Sequence, residues 1–291
     1  MATTQDYINQ LKIDKQNLVS MLNTMGVEAN NNETFTALTP KVGKIVTDPI
    51  LQDKTIEITE NGTQTIAADE GYNGLNNVEV VTNVASSGAD FKITDGSYMF
   101  QYGYRKENIY DLLPFLKPTT CLNMFDTCKM TTLDLRNLDT SDTTDMSQMF
   151  KSNGNTLTTL DLSGWNISKV TKTNYMFDYC SILTTLNLSG WNNNVITGLV
   201  GMFRGCSNLT SIDLSGIYTN KITSMNYLFY NCSKLTKIDI RNFDFSKVTA
   251  YNYMFDGIPT DCEIIVKDET AKAWVLARRS DLTNVKTVAE L

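Results

Sequence analysis

Apolar residues recur along this chain with a period far longer than any helix or strand produces. The pair Met-Phe stands at Met99-Phe100, Met124-Phe125, Met149-Phe150, Met176-Phe177, Met202-Phe203 and Met254-Phe255, and Leu228-Phe229 fills the remaining place. The steps are 25, 25, 27, 26, 26 and 26 residues. A second column follows five of these phenylalanines: Leu133-Asp134-Leu135, Leu160-Asp161-Leu162, Leu186-Asn187-Leu188, Ile212-Asp213-Leu214 and Ile238-Asp239-Ile240. Ile264-Ile265-Val266 closes it. Alternation of apolar, polar and apolar residues predicts a short strand with one buried face. A third column, Leu138, Trp165, Trp191, Ile217 and Phe243, comes after residues that favour a turn.

One such unit cannot bury its own Leu, Trp, Met and Phe. Stacked units can, each column covering the same column of the next coil, with the strands pairing in parallel about 4.8 Å apart. The period lies in the leucine-rich range. The predicted fold is therefore an α/β repeat, a leucine-rich-type solenoid with parallel strands. Cys128, Cys180, Cys206 and Cys232 keep the register, three residues after the phenylalanine, and Asn153 and Ile258 take that place in two other units. A column of buried, reduced thiols is the favoured reading. Disulfides between neighbouring coils are a second and metal binding a third, although no CxxC spacing exists.

The solenoid is expected to follow an N-terminal helical segment and a small β-module. Ile8, Leu11, Leu18, Leu22 and Met25 share one helical stripe at coiled-coil spacing, which makes them candidates for an oligomerisation and attachment helix. A helix packed on its own chain is the alternative, with Phe35, Leu38, Val42 and Ile45 on a second helix that Pro40 interrupts. Ile56 and Ile58 alternate with polar residues, and Asn61-Gly62 signals a hairpin turn. Val78 and Val80 begin a third strand. The expected divisions are 1–50 for attachment, 51–89 for the β-module and linker, 90–120 for an N-terminal cap, 121–266 for the repeats and 267–291 for a C-terminal cap. In that last segment Asp268 to Ala277 reads as a helix and Val285 to Val288 as a strand.

Composition narrows the functional classes. The chain of 291 residues contains no histidine, which removes the commonest general base and metal ligand. With net charge -7 it should repel phosphate backbones, so nucleic acid is not an expected partner. No signal peptide and no membrane-length apolar run is readable. Charged residues make up only 20%, and Thr, Asn and Ser supply most of the polar surface, suited to contact through hydrogen bonds. Neither catalytic nor metal-ligating residues nor a cofactor is expected.

Residues 121–266 resemble the BspA-like leucine-rich repeat of bacterial surface proteins. The unit Met176-Phe177-Asp178-Tyr179-Cys180, continuing through Leu183 to Leu186-Asn187-Leu188-Ser189-Gly190-Trp191, carries the match. That resemblance implies adhesion or recognition. Residues 5–84 resemble N-terminal modules of tail, fibre and other virion proteins from phages of Gram-positive hosts. Gly26-Val27-Glu28, Thr34 to Leu38, Ile58 to Thr63 and Gly71 to Leu75 carry this second match, and Lys267 to Trp274 is similar to caps in the same setting.

On each strand the middle residue should face outward. Asp134, Asp161, Asn187, Asp213 and Asp239, with Arg136 and Arg241 at the flank, form the candidate binding face. The combined expectation is a virion structural protein, made in the host cytoplasm. It would bind other virion proteins through its N-terminal region and a host cell-surface glycan or protein through the solenoid. It would be a homo-oligomer, with a trimer in view. A bacterial surface adhesin is the alternative.

Overall fold

The computed structural model describes residues 51–58, 63–65, 74–82, 92–101, 116–128, 130–131 and 133–291. The helical stripe of Ile8, Leu11, Leu18, Leu22 and Met25 lies outside them. From Leu51 onward the described segments belong to one compact unit.

That unit is a parallel-strand solenoid of about six turns. Its first strands are β1 (Leu51–Ile58), β2 (Thr63–Thr65), β3 (Gly74–Thr82), β4 (Lys92–Asp95) and β5 (Leu116–Thr120). The repeats add β6 (Thr159–Asp161), β7 (Thr185–Asn187), β8 (Ser211–Asp213), β9 (Lys237–Asp239) and β10 (Glu263–Val266). Helix α1 (Glu269–Leu276) and β11 (Val285–Thr287) follow. Every recorded strand pair is parallel. The sheets run β1-β3, β2-β4-β5, β6-β7 and β11-β10-β9-β8.

Three expectations need correction. The repeats are not α/β units: turns replace the helix in each coil, and α1 is the one α-helix among the described residues. The strands on either side of Asn61-Gly62, a pair outside the described residues, are not partners in a hairpin: β1 pairs with β3 and β2 with β4, both in parallel. A coil returns each strand in the same direction, so β1 meets β3, and β2 meets β4, as parallel neighbours. Leu133 to Leu135 lacks strand geometry, although both leucines are buried.

The core is the Met-Phe column. Phe100, Phe125, Phe150, Phe177, Phe203, Phe229 and Phe255 stack in sequence, with ring centroids 5.2–5.9 Å apart and planes within 21°. The backbone holds this register. The N–H of each phenylalanine from Phe100 to Phe229 donates to the carbonyl of the Met, or of Leu228, one coil later at 2.8–3.0 Å. Truncating one fully buried phenylalanine to alanine would cost about 3–5 kcal/mol. The strand and Trp columns are buried too, except that Leu186 is only partly covered.

Threonines fasten the coils at two further places, one ahead of the core pair and one beside the strands. Thr144, Thr171, Thr184, Thr197, Thr236, Thr249 and Thr283 each direct both backbone N–H and side-chain hydroxyl at one threonine carbonyl of the preceding coil. Much of the hydroxyl surface expected to meet a partner is thus spent within the solenoid.

The cysteine column forms no disulfide. The Cys180, Cys206 and Cys232 thiols donate to the carbonyls of Phe150, Phe177 and Phe203 at 3.0–3.1 Å. Burial pushes the Cys180 and Cys232 thiols up to about 12, far from the reactive thiolate form. At the C-terminal end α1 starts as the sequence suggests, with Asp268 accepting the Ala271 N–H at 3.0 Å.

Candidate functional site

The strand face is the first place to look. Asp134, Asp161, Asn187, Asp213 and Asp239 each accept the backbone N–H two residues ahead, on Arg136, Ser163, Ser189, Ser215 and Arg241, at 2.8–3.2 Å. This is an Asx turn, and it needs one side-chain oxygen at that position. Asn187 can therefore stand in an otherwise acidic row. The row turns the chain out of its strand, whatever else it does.

Asp134, Arg136, Asp161 and Asn187 come together around one shallow hollow of about 420 Å³, with Thr159 and Thr185. Asp213, Asp239 and Arg241 lie elsewhere. Asp239 corrects the outward reading: it is 5% exposed. Arg241 closes over its carboxylate, and Ile265 pairs beside it on β10. Arg136 forks Asp134 at 3.0 and 2.7 Å, which holds that carboxyl down at about 2. The Ser163 N–H likewise lowers Asp161. Carboxylates held ionised on an open face are poor general acids. Further along, Glu263 is gripped by Lys237 at 3.0 Å and Lys286 at 2.7 Å. Most charge on this face is neutralised by its own neighbours.

A different edge presents less committed chemistry. Two backbone positions per coil adopt positive φ. The residue before each Met or Leu of the core pair is Tyr98, Asn123, Gln148, Tyr175, Gly201, Tyr227 or Tyr253, with φ of 53–59°. The residue two after the phenylalanine is Thr127, Ser152, Tyr179, Gly205, Asn231 or Gly257, with φ of 54–81°. For a bulky L residue this conformation costs about 1–2 kcal/mol. The inter-coil ladder offsets that cost: Tyr175, Tyr179 and Tyr227 donate to the carbonyls of Val200, Arg204 and Asn252 at 2.7–2.9 Å.

The result is a ridge of tyrosines beside the core stack. Tyr179 is 51% exposed and Tyr253 52%, large for aromatic rings. Tyr227 stacks on Tyr253 at 5.3 Å, and Tyr230 meets both edge-on. Tyr175 and Tyr179 lean over Gly201 and Gly205, where added Cβ atoms would lie 2.5 and 2.8 Å from their ring carbons. Arg204 sits among Tyr175, Tyr179 and Tyr227, its guanidinium 4.9–6.0 Å from the three ring centres. It also forks the fully buried Asp178 of the preceding coil at 2.6 and 2.7 Å. Tyrosine and arginine held rigid on a surface are what protein interfaces favour, because little side-chain freedom is left to lose on binding.

The sequence reading missed this ridge, though a signal existed. Tyr98, Tyr175, Tyr227 and Tyr253 precede the core pair in four of seven coils. Alternation rules assign such a residue no face, because its side chain leaves from a left-handed backbone. Near the C-terminus a broader groove of about 670 Å³ opens between the last coils and α1, lined by Tyr218, Asn242, Phe245, Lys267 and Trp274 among others. Among the described residues, no cluster of three or more Cys, Asp or Glu could hold a metal ion, and no helix is long and apolar enough to cross a membrane.

A parallel solenoid with a packed core and an aromatic edge defines a solenoid repeat protein. The family described as "Mycoplasma protein of unknown function, DUF285" matches residues 116–211 and 155–265, more than half of the chain, and the chain belongs to it. That membership and the parallel solenoid are compatible with a BspA-like repeat protein. No curated protein and no solved structure matches.

Proposed function

We propose that this protein is a non-enzymatic recognition module that grips a cell-surface glycan or protein through its tyrosine edge. It would be carried on a phage particle as a fibre or decoration protein. The observation that carries the recognition reading is the row of tyrosines held in costly backbone conformations, with Tyr175, Tyr179 and Tyr227 around Arg204 and the rings of Tyr179 and Tyr253 exposed. Packing of the core does not require them, since Asn123 and Gln148 occupy the same positions in other coils. The absence of histidine and the ionised strand-face carboxylates argue against acid–base catalysis.

The phage attachment rests on the likeness of residues 5–84 to virion modules. In this reading residues 1–50 dock on other virion proteins, and the stripe from Ile8 to Met25 joins copies into a homo-oligomer, a trimer by preference. Mass spectrometry of gradient-purified particles tests it. The chain should co-purify with the major structural proteins at fixed stoichiometry; its absence from intact particles would refute the attachment.

Family membership favours a second reading, a bacterial surface adhesin, because the family is described from Mycoplasma. Fractionation of phage-free cells separates the two: surface-associated protein in such cells supports the adhesin.

A further inference from the structure

We propose that the tyrosine ridge ends in a binding site for an anionic sugar or polyol, built around Arg278. This deepens the recognition reading and rests on it. Four of the five arginines among the described residues close on an aspartate: Arg136 on Asp134, Arg204 on Asp178, Arg241 on Asp239 and Arg279 on Asp281. Arg278 has no carboxylate partner among the described residues. Its guanidinium lies 3.7 Å from the Trp274 ring centre and 4.4 Å from that of Tyr251. One nitrogen, Nη1, donates to the Trp274 carbonyl at 2.9 Å, and Nε is buried without a partner.

This cation lines a hollow of about 280 Å³ together with Tyr251, Tyr253, Trp274, Asp256 and Arg279. That volume is at the small end of ligand sites and suits a single sugar unit. Tyr253 is the last ring of its stack, so it offers an apolar wall for the C–H face of such a unit. The guanidinium is already oriented by stacking, and Nη2 with the second hydrogen of Nη1 is left to donate to a carboxylate or phosphate. Asp256 lines the same hollow and would repel a bare anion, yet it can accept a hydroxyl. The combination selects an oxyanion carried on a hydroxylated carbon skeleton. Carboxylated pyranoses and polyol phosphates share that chemistry, and both are units of bacterial surface polymers.

Tryptophan fluorescence of the full chain tests the site. Trp165 and Trp191 are buried with their indole N–H groups on the carbonyls of Leu135 and Leu162, so Trp274 is the reporter. Titration with glucuronate and with glycerol 3-phosphate identifies which source of oxyanion binds. At least one should give a saturable change in the millimolar range, and glucose should give none. R278Q should weaken that response at least tenfold, and R278K should weaken it by retaining charge without the planar fork. Circular dichroism checks that each variant folds. If R278Q fails to fold, R278K and the contrast between anion and glucose still decide. No response to either anion at tens of millimolar, an equal response to glucose, or an unchanged response in folded R278Q and R278K would each overturn the site. Cell binding by the wild-type chain that persists despite such a failure would leave the recognition reading standing.

Discussion

The side-chain amide of Asn153 donates to the carbonyl of Phe125 one coil earlier at 2.8 Å, the role that the Cys180 thiol fills toward Phe150 at 3.0 Å. Asn153 also donates to the Phe150 carbonyl at 2.8 Å. The cysteine column is therefore a column of donors to phenylalanine carbonyls, and an amide can join it. The amide brings an oxygen the column does not need: Asn153 Oδ1 is buried without a partner.

Replacing Asn153 tests this account of the column. N153C keeps a donor and removes the orphan oxygen, so it should match or raise the stability of the wild type. N153A removes the donors and should lower stability by about 1–3 kcal/mol. Urea unfolding of both variants measures the difference. Equal stability of the two would show that the donor carries no weight.

Gly201 should be intolerant of a side chain. It combines a φ of 58° with a place under the Tyr175 ring, 2.5 Å from where Cβ would lie. G201A should lose about 1–3 kcal/mol, and the double variant G201A/Y175S should recover the part due to the collision. Thermal melts of the four proteins in that cycle give the coupling. Strict additivity would contradict the contact.

Stability should form a plateau in pH bounded on both sides. The Arg136 guanidinium holds Asp134, and the Lys272 ammonium holds Glu290, at about 2. Folded-state values below the unfolded ones make their contribution complete above about pH 5 and lost as pH falls towards 2. The thiols act on the other limb. Burial raises Cys121, Cys180 and Cys232 from 9.0 to about 12. Their contribution is whole below pH 9 and lost as pH rises towards 12, because only the unfolded chain ionises there. Melting temperature against pH should be flat near neutrality and fall at both extremes. A steady rise through pH 10 would contradict the buried thiols.

The six Met-Phe pairs and Leu228-Phe229 made the stacked core legible, because side chains that recur at one spacing have to meet their own copies. The column of Leu133, Leu160 and Ile212 was legible for the same reason. The site was less so. Asp134, Asp161, Asn187, Asp213 and Asp239 read as a face to be bound, and the structure adds that their oxygens turn the chain by accepting backbone N–H groups. Alternation locates a side chain above or below a strand but does not say which backbone group it reaches. Asp239 shows the further limit, since its burial depends on Arg241 and on Ile265 a coil away. The tyrosines escaped because a positive φ is uncommon for such residues and has no hydrophobic period of its own.

The most direct test of the central claim compares the two faces in one adsorption assay on intact host cells. The strand-face variant D161N/D213N should bind like the wild type, and the ridge variant Y179S/Y253S, folded by circular dichroism, should lose at least tenfold in affinity. Undiminished binding by Y179S/Y253S together with loss in D161N/D213N would contradict the account and return the working surface to the strands.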